Sequence, residues 1–165
     1  VSDVAEKLRA FVFLDRKQAR EGLSPAELAR WTALKRELGR ELSGSRDDER
    51  ADRRRSLRVP VRLRVSFASL CELGGALITN LSRGGLFVAT DHVLEIGERV
   101  VLRLQVEEGG KGLEVGTEVV SRNLGPRGDP RRGLGLRFVE TEGPVREELD
   151  ALYERALAAA GPRRR

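Results

Sequence analysis

Two clusters of side chains in this sequence have the types and spacing to recognise an anion. Arg53-Arg54-Arg55-Ser56-Leu57-Arg58 contains R-x-x-x-R at Arg54 and Arg58, with Arg53 beside it. Further on, Asn80-Leu81-Ser82-Arg83-Gly84-Gly85 reads N-x-S-x-x-G. A guanidinium is a rigid planar fork of donors. It meets a phosphate, or the O6/N7 edge of a guanine, with two parallel hydrogen bonds, which an ammonium does not do. Asn80 and Ser82 add short polar groups, and Gly85 lets a ligand come close to the backbone with no Cβ in the way. This is chemistry of recognition rather than turnover. Ser82 has no neighbouring His or Lys to activate it, and no acid–base pair is legible anywhere in the chain, so an enzyme is not expected.

Composition limits how much weight the arginines carry. The chain of 165 residues has formal charge +5, and lysine appears only at 7, 17, 35 and 111, so the positive charge is almost all arginine. A GC-rich genome favours Arg over Lys everywhere, and only arginines at a specific spacing therefore count as functional candidates. One histidine, His92, and one cysteine, Cys71, exclude an internal disulfide and leave no metal-ligand cluster. Asp47, Asp48, Glu49 and Asp52 alternate with arginines that compete for them, so no metal and no cofactor are expected. The lone thiol fits a reducing, cytoplasmic compartment. No run approaches the roughly 18 apolar residues of a membrane-spanning helix, and the N-terminus shows no basic segment followed by an apolar run, so no secretion signal is expected.

The elements that must position these groups follow from periodicity. Over residues 1–44 the pattern predicts a helical pair. Asp3 and Glu6 have the spacing of a capping box ahead of Val4, Leu8, Phe11 and Val12, and Gly22 breaks the first helix. Ser24-Pro25-Ala26-Glu27 is a second start, with a Ser cap, Pro at the first helical position and Glu three residues after the cap. Leu28, Trp31, Leu34, Leu38 and Leu42 follow on one face, and Ser43-Gly44 ends the helix. Two short amphipathic helices cannot cover both stripes alone, which predicts packing on the rest of the chain, self-association or a protein partner. Residues 45–58 have almost nothing apolar to bury and read as a charged linker that also carries the Arg motif.

From Val59 the period becomes two. Val59, Val61, Leu63, Val65 and Phe67 alternate with polar residues. Ala76–Leu81, Leu86–Ala89, Val100–Val106, Leu113–Val119 and Leu134–Phe138 complete six short strands, with a hairpin loop at 107–112 and a Gly/Pro-rich loop at 125–133. Val145–Ala160 reads as a final helix carrying Leu149, Leu152, Ala156 and Leu157. The expected fold is mainly β with helices: a six-stranded antiparallel barrel with its C-terminal helix over 59–161.

The two motifs, in this order and at this separation, resemble the signature of the PilZ family, an RxxxR at the mouth of a barrel followed by [D/N]xSxxG on a nearby strand. Val59-Pro60-Val61, Gly84-Gly85-Leu86-Phe87-Val88 and Gly133-Leu134-Gly135-Leu136-Arg137-Phe138 fit as well, and the resemblance covers about residues 52–155. It implies a PilZ-type barrel that binds the second messenger cyclic di-GMP. Arg54 and Arg58 would hold guanine and phosphate, Arg53 would add a further contact, and Asn80, Ser82 and Gly85 would form the barrel side of the site. The resemblance leaves the N-terminal helices unexplained.

Three other readings compete with this one. A PilZ-like adaptor would keep the fold and bind protein without ligand, but both motifs are intact here. A nucleic-acid binder would use the Arg-rich arm, yet aromatics for base stacking are scarce and acids are interspersed, so no specific nucleic acid is expected. The bland reading makes 53–58 a solvated linker and Asn80 and Ser82 turn residues that satisfy backbone groups. On the leading reading, the linker is mobile without ligand, is ordered by it, and relays the signal to a protein partner. The downstream pathway is not legible.

Overall fold

Alternation of aliphatic and polar residues from Val59 onward produces a sheet with one face closed to water. The computed structural model describes residues 2–43, 57–67, 76–105 and 112–159, and the side chains of 62–67 lie outside that description. Helices α1 (Ser2–Arg20) and α2 (Pro25–Ser43) come first. Strands β1 (Val59–Phe67), β2 (Ala76–Leu81), β3 (Gly85–Ala89), β4 (Arg99–Leu104), β5 (Leu113–Asn123) and β6 (Gly133–Phe138) follow, and helix α3 (Pro144–Ala159) is last. By contact, the chain divides into two compact units, Val1–Pro60 with Tyr153–Arg165, and Val61–Leu152. Leu57–Pro60 and the C-terminal half of α3 thus group with the first two helices, whereas the sequence pattern grouped 59–161 together.

In the strand unit every described pairing is antiparallel, and the strand order is β1-β2-β3-β6-β5-β4, a barrel in which β1 also pairs with β4. That closure is loose. The β1–β4 ladder runs over three described pairs, Val65 with Leu104 to Phe67 with Leu102, against six between β4 and β5. Along β4, Val100, Leu102 and Leu104 are buried while Arg99, Val101 and Arg103 are exposed, the period of two expected for a strand with one wet face. Ile78, Leu81, Val88, Val115, Val119, Leu134 and Leu136 complete an aliphatic core. Each fully buried side chain of this kind contributes roughly 1.5–3 kcal/mol. Thr117 is the polar exception, and its hydroxyl donates to the Val100 carbonyl at 2.8 Å.

The helical unit closes on itself more than the sequence suggested. Phe11 and Trp31 stack with ring centroids 6.2 Å apart, and the Lys35 ammonium sits 4.9 Å from the Trp31 ring centroid. Trp31 Nε1 donates to the Asp15 carboxylate at 3.0 Å. The expected Leu28–Trp31–Leu34–Leu38 stripe therefore shifts. Leu38 and Lys35 are buried, Trp31 and Leu34 are half-buried, and Leu28 is exposed. Lys35 fits there because its methylene stem packs like a hydrophobe while its charge rests on an aromatic face. The stripe expected to lie uncovered is instead covered in large part by α1.

The ends of the helices show which sequence signals operate. Ser24 and Glu27 form the expected reciprocal box: the Glu27 N–H donates to Ser24 Oγ at 3.3 Å, and the Ser24 N–H to Glu27 Oε2 at 2.9 Å. Gly22, at φ +85°, ends α1 with its N–H on the Lys17 carbonyl. The Asp3–Glu6 box does not form. Helix α1 already begins at Ser2, so Asp3 lies inside the first turn and pairs with Lys7 at 2.7 Å instead.

Candidate functional site

Asn80 owes its position to a β-bulge. The β2–β3 register runs Leu81 with Leu86, Asn80 with Phe87, and then Ile78 with Val88, so Thr79 is an extra residue. Ile78 and Leu81, three apart, are both buried, and Asn80 and Thr79 between them are half-exposed. Without the bulge, Asn80 would share the face of Ile78 and enter the core. With it, Asn80 stands on the outer face, the way bulges re-aim side chains beside functional sites. Among the described residues, its carboxamide has no hydrogen-bond partner.

The turn after Asn80 is fixed from three sides. Ser82 donates to the Gly85 carbonyl twice, from its N–H at 2.8 Å and its hydroxyl at 3.1 Å. The Phe138 N–H, at the end of β6, donates to the Gly84 carbonyl at 3.0 Å. Arg146 Nη2, from the first half of α3, donates to the Arg83 carbonyl at 2.7 Å. Ser82 is thus a turn-forming residue, with its hydroxyl oxygen still able to accept. Gly85 has a reason of its own to be glycine: a Cβ there would collide with the Leu136 carbonyl oxygen of the neighbouring strand. Close approach of β6, independent of any ligand, already requires the missing side chain.

The outer face around these residues is readable from the registers. Asn80 lies opposite Phe87, Phe87 opposite Gly135, and Gly135 opposite Ser121. One row away, Gly85 lies opposite Arg137, which pairs with Glu118 at 3.0 Å. The half-exposed Phe87 therefore stands beside Asn80, with Gly135 on the strand beyond it.

Of the Arg motif, Arg53 and Arg54 lie outside the described residues. Arg58 is exposed, immediately before β1. The backbone just before it is held firmly. Leu57 is buried and approached by Gly39 of α2, and the Tyr153 hydroxyl donates to the Leu57 carbonyl at 2.8 Å. Asn80, Ser82 and Gly85 are thus gathered on one turn, while Arg58 belongs to the helical unit.

Sequence reasoning missed Tyr153, Arg146 and Asp150. Tyr153 is the only tyrosine of the chain and lies on the apolar face of α3, a signal that was available. Arg146 and Asp150 have helical i, i+4 spacing, but nothing in the sequence links them to Arg83. Many remaining arginines have structural partners. Arg16, Arg99, Arg122, Arg131, Arg132 and Arg137 each face a carboxylate within 3.3 Å. Among the described residues no group of three metal-ligating side chains occurs, and no helix is long and apolar enough to cross a membrane.

Comparison with known proteins places this arrangement in a family. The sequence model of the PilZ domain matches residues 52–155, well over half of the chain. The chain belongs to the PilZ domain family. No curated protein matches the sequence. Among solved structures, the PilZ domain of YcgR from Escherichia coli, determined with cyclic di-GMP, is similar at 16% identity and a TM-score of 0.51, covering 66% of this chain and 94% of that one. The Bacillus subtilis inhibitor of motility MotI/DgrA is similar at 22% identity and a TM-score of 0.50, over 62% of this chain and 50% of that one. At these identities the likeness is one of fold. The chain spans half the length of the Bacillus protein.

Proposed function

We propose that this PilZ protein is a receptor for cyclic di-GMP, a binding module rather than an enzyme. The observation that carries the reading is the outward-facing Asn80 amide, without a hydrogen-bond partner among the described residues, on a pre-shaped N-x-S-x-x-G turn, in a chain of this family that also retains R-x-x-x-R. The PilZ domain of YcgR, of similar fold, was solved with this dinucleotide. Cyclic di-GMP is a dianion with two guanines. On this reading Arg54 and Arg58 grip guanine and phosphate, Arg53 adds a contact, and Asn80 and Ser82 supply polar groups from the barrel. Two or three bidentate guanine contacts at roughly 1–3 kcal/mol each, with phosphate pairing added, reach the approximately 8 kcal/mol of a micromolar complex.

The relay follows from chain order. Residues 45–58 connect α2 to β1 and include the Arg motif, so ordering that segment around the ligand changes what the helices present to a protein partner. Calorimetric titration of Arg54→Ala, Arg58→Ala and Asn80→Ala tests the ligand assignment. Each arginine variant is expected to lose at least the roughly 1–3 kcal/mol of one guanine contact, and full retention of affinity in all three would overturn it. A ligand-free adaptor is the second reading, favoured by the Ser82 hydroxyl already being committed to Gly85. It predicts no heat with the dinucleotide at all.

A further inference from the structure

Arg83 stands inside the N-x-S-x-x-G turn, at a position the motif leaves open, and its side chain runs to α3. Its Nη1 lies 3.0 Å from Asp150 Oδ1. Arg146 reaches the same oxygen, with Nη2 at 2.7 Å and Nε at 3.1 Å, and its Nη2 also donates to the Arg83 carbonyl at 2.7 Å. One carboxylate thus gathers two guanidiniums, and one of those holds the turn's own backbone. The side chains of Arg83, Arg146 and Asp150 are 17%, 31% and 30% exposed, so the cluster is shielded from full solvent screening.

The consequence lies in the carbonyls. Those of Arg83, Gly84 and Gly85 each have a designated donor: Arg146 from α3, the Phe138 N–H from β6, and Ser82 from the turn itself. A turn held on three sides keeps its shape whether or not a ligand is present. The part of a site that needs no ordering on binding wastes none of its contact energy on that step.

We propose that Asp150 and Arg146 are positioning residues for ligand binding at the Asn80–Gly85 turn, with Asp150 orienting both arginines so that Arg146 fixes the Arg83 carbonyl. The proposal rests on the reading of this turn as the barrel half of a cyclic di-GMP site. It makes a prediction opposite in sign to simple electrostatics. Replacing Asp150 by Asn removes a negative charge near a dianion's site, which by Coulomb attraction alone would tighten binding. Positioning requires the reverse.

The test is titration of the full chain with cyclic di-GMP, beside backbone hydrogen exchange of the same proteins without ligand. Asp150→Asn is expected to bind about tenfold more weakly, equivalent to about 1.4 kcal/mol. Asp150→Glu should recover most of that loss. Glu114→Gln, which removes the partner of Arg103 and changes net charge equally, should leave affinity within about twofold. Affinity of Asp150→Asn equal to or tighter than wild type would overturn the proposal. If Asp150→Asn does not fold, Arg83→Lys keeps the charge but loses the fork. It should bind several-fold more weakly, and unchanged affinity there would count against the idea. Exchange separates this proposal from the one it rests on. If the wild type binds no dinucleotide, the receptor reading fails. The turn-fixing role still requires faster exchange at the Ser82 and Phe138 amides in Asp150→Asn, and equal exchange would remove that role as well.

Discussion

The hydroxyl of Tyr153 donates to the carbonyl of Leu57 at 2.8 Å, and the next residue in the chain is Arg58. Tyr153 is fully buried and Leu57 nearly so. The last residue of the Arg motif therefore leaves from a backbone anchored by the only tyrosine in the chain. Tyr153→Phe keeps the ring and removes the donor. It is expected to cost about 1–3 kcal/mol of stability, the penalty for depriving a buried acceptor of its partner, and to weaken ligand binding through Arg58. Urea unfolding with a parallel titration checks both, and unchanged stability would mean this bond does not hold the segment.

Asn80 and Gly85 are expected to separate binding from folding. Asn80 is half-exposed and makes no hydrogen bond among the described residues, so Asn80→Ala should shift stability by no more than about 0.5 kcal/mol while reducing ligand affinity. Gly85→Ala drives a methyl into the Leu136 carbonyl and should destabilise by roughly 1–3 kcal/mol. Thermal unfolding of the two variants side by side decides. A stable Gly85→Ala would show that β6 can yield and that glycine serves the ligand alone.

Trp31→Phe preserves the stack on Phe11 but removes the donor to Asp15. A hydrogen bond to a charged group contributes about 1.5–3 kcal/mol, and the partly exposed ring puts this one toward the lower end. Chemical denaturation monitored by far-ultraviolet circular dichroism would measure the loss. No loss would mean this hydrogen bond adds nothing to the stability of the helical pair.

Glu27 ties the start of α2 to Lys17 of α1 at 2.6 Å. The Lys17 ammonium, with the Ser24 backbone and hydroxyl, holds its carboxyl down at about 2, against an ordinary value of 4.5. A depressed folded-state value means the unfolded chain takes up the proton first. The stabilisation is therefore complete above pH 4.5 and is lost as the pH falls toward 2. The stability gap between wild type and Glu27→Gln should be constant near neutrality and shrink across that window. A gap independent of pH would show that the ion pair contributes nothing.

Strand periods, the Ser24–Glu27 box and the Gly22 stop were all legible because each depends on residues close in sequence. Val100, Leu102 and Leu104 point inward as alternation required, and α3 begins one residue before the expected Val145. What was hidden depends on tertiary geometry. The bulge at Thr79 inverts the face on which Asn80 stands, and no local pattern announces an extra residue in a strand. Asp150 and Arg83 are far apart in the chain, so their pairing exists only once α3 has docked. Lys35 lies outside the expected apolar stripe, and its burial against the Trp31 ring appears only once the two helices are packed. Gly85 carries a second requirement that the sequence did not show, since a Cβ there would meet the carbonyl of Leu136 on a strand that comes much later.

Recognition of cyclic di-GMP is proposed to need the Asn80–Gly85 turn and the Arg motif together. Calorimetric titration of the full chain with cyclic di-GMP, and separately with GTP, tests it most directly. One site per chain is expected, with micromolar or tighter affinity for the cyclic dinucleotide and far weaker binding of GTP. Affinity for cyclic di-GMP no better than for GTP would contradict it.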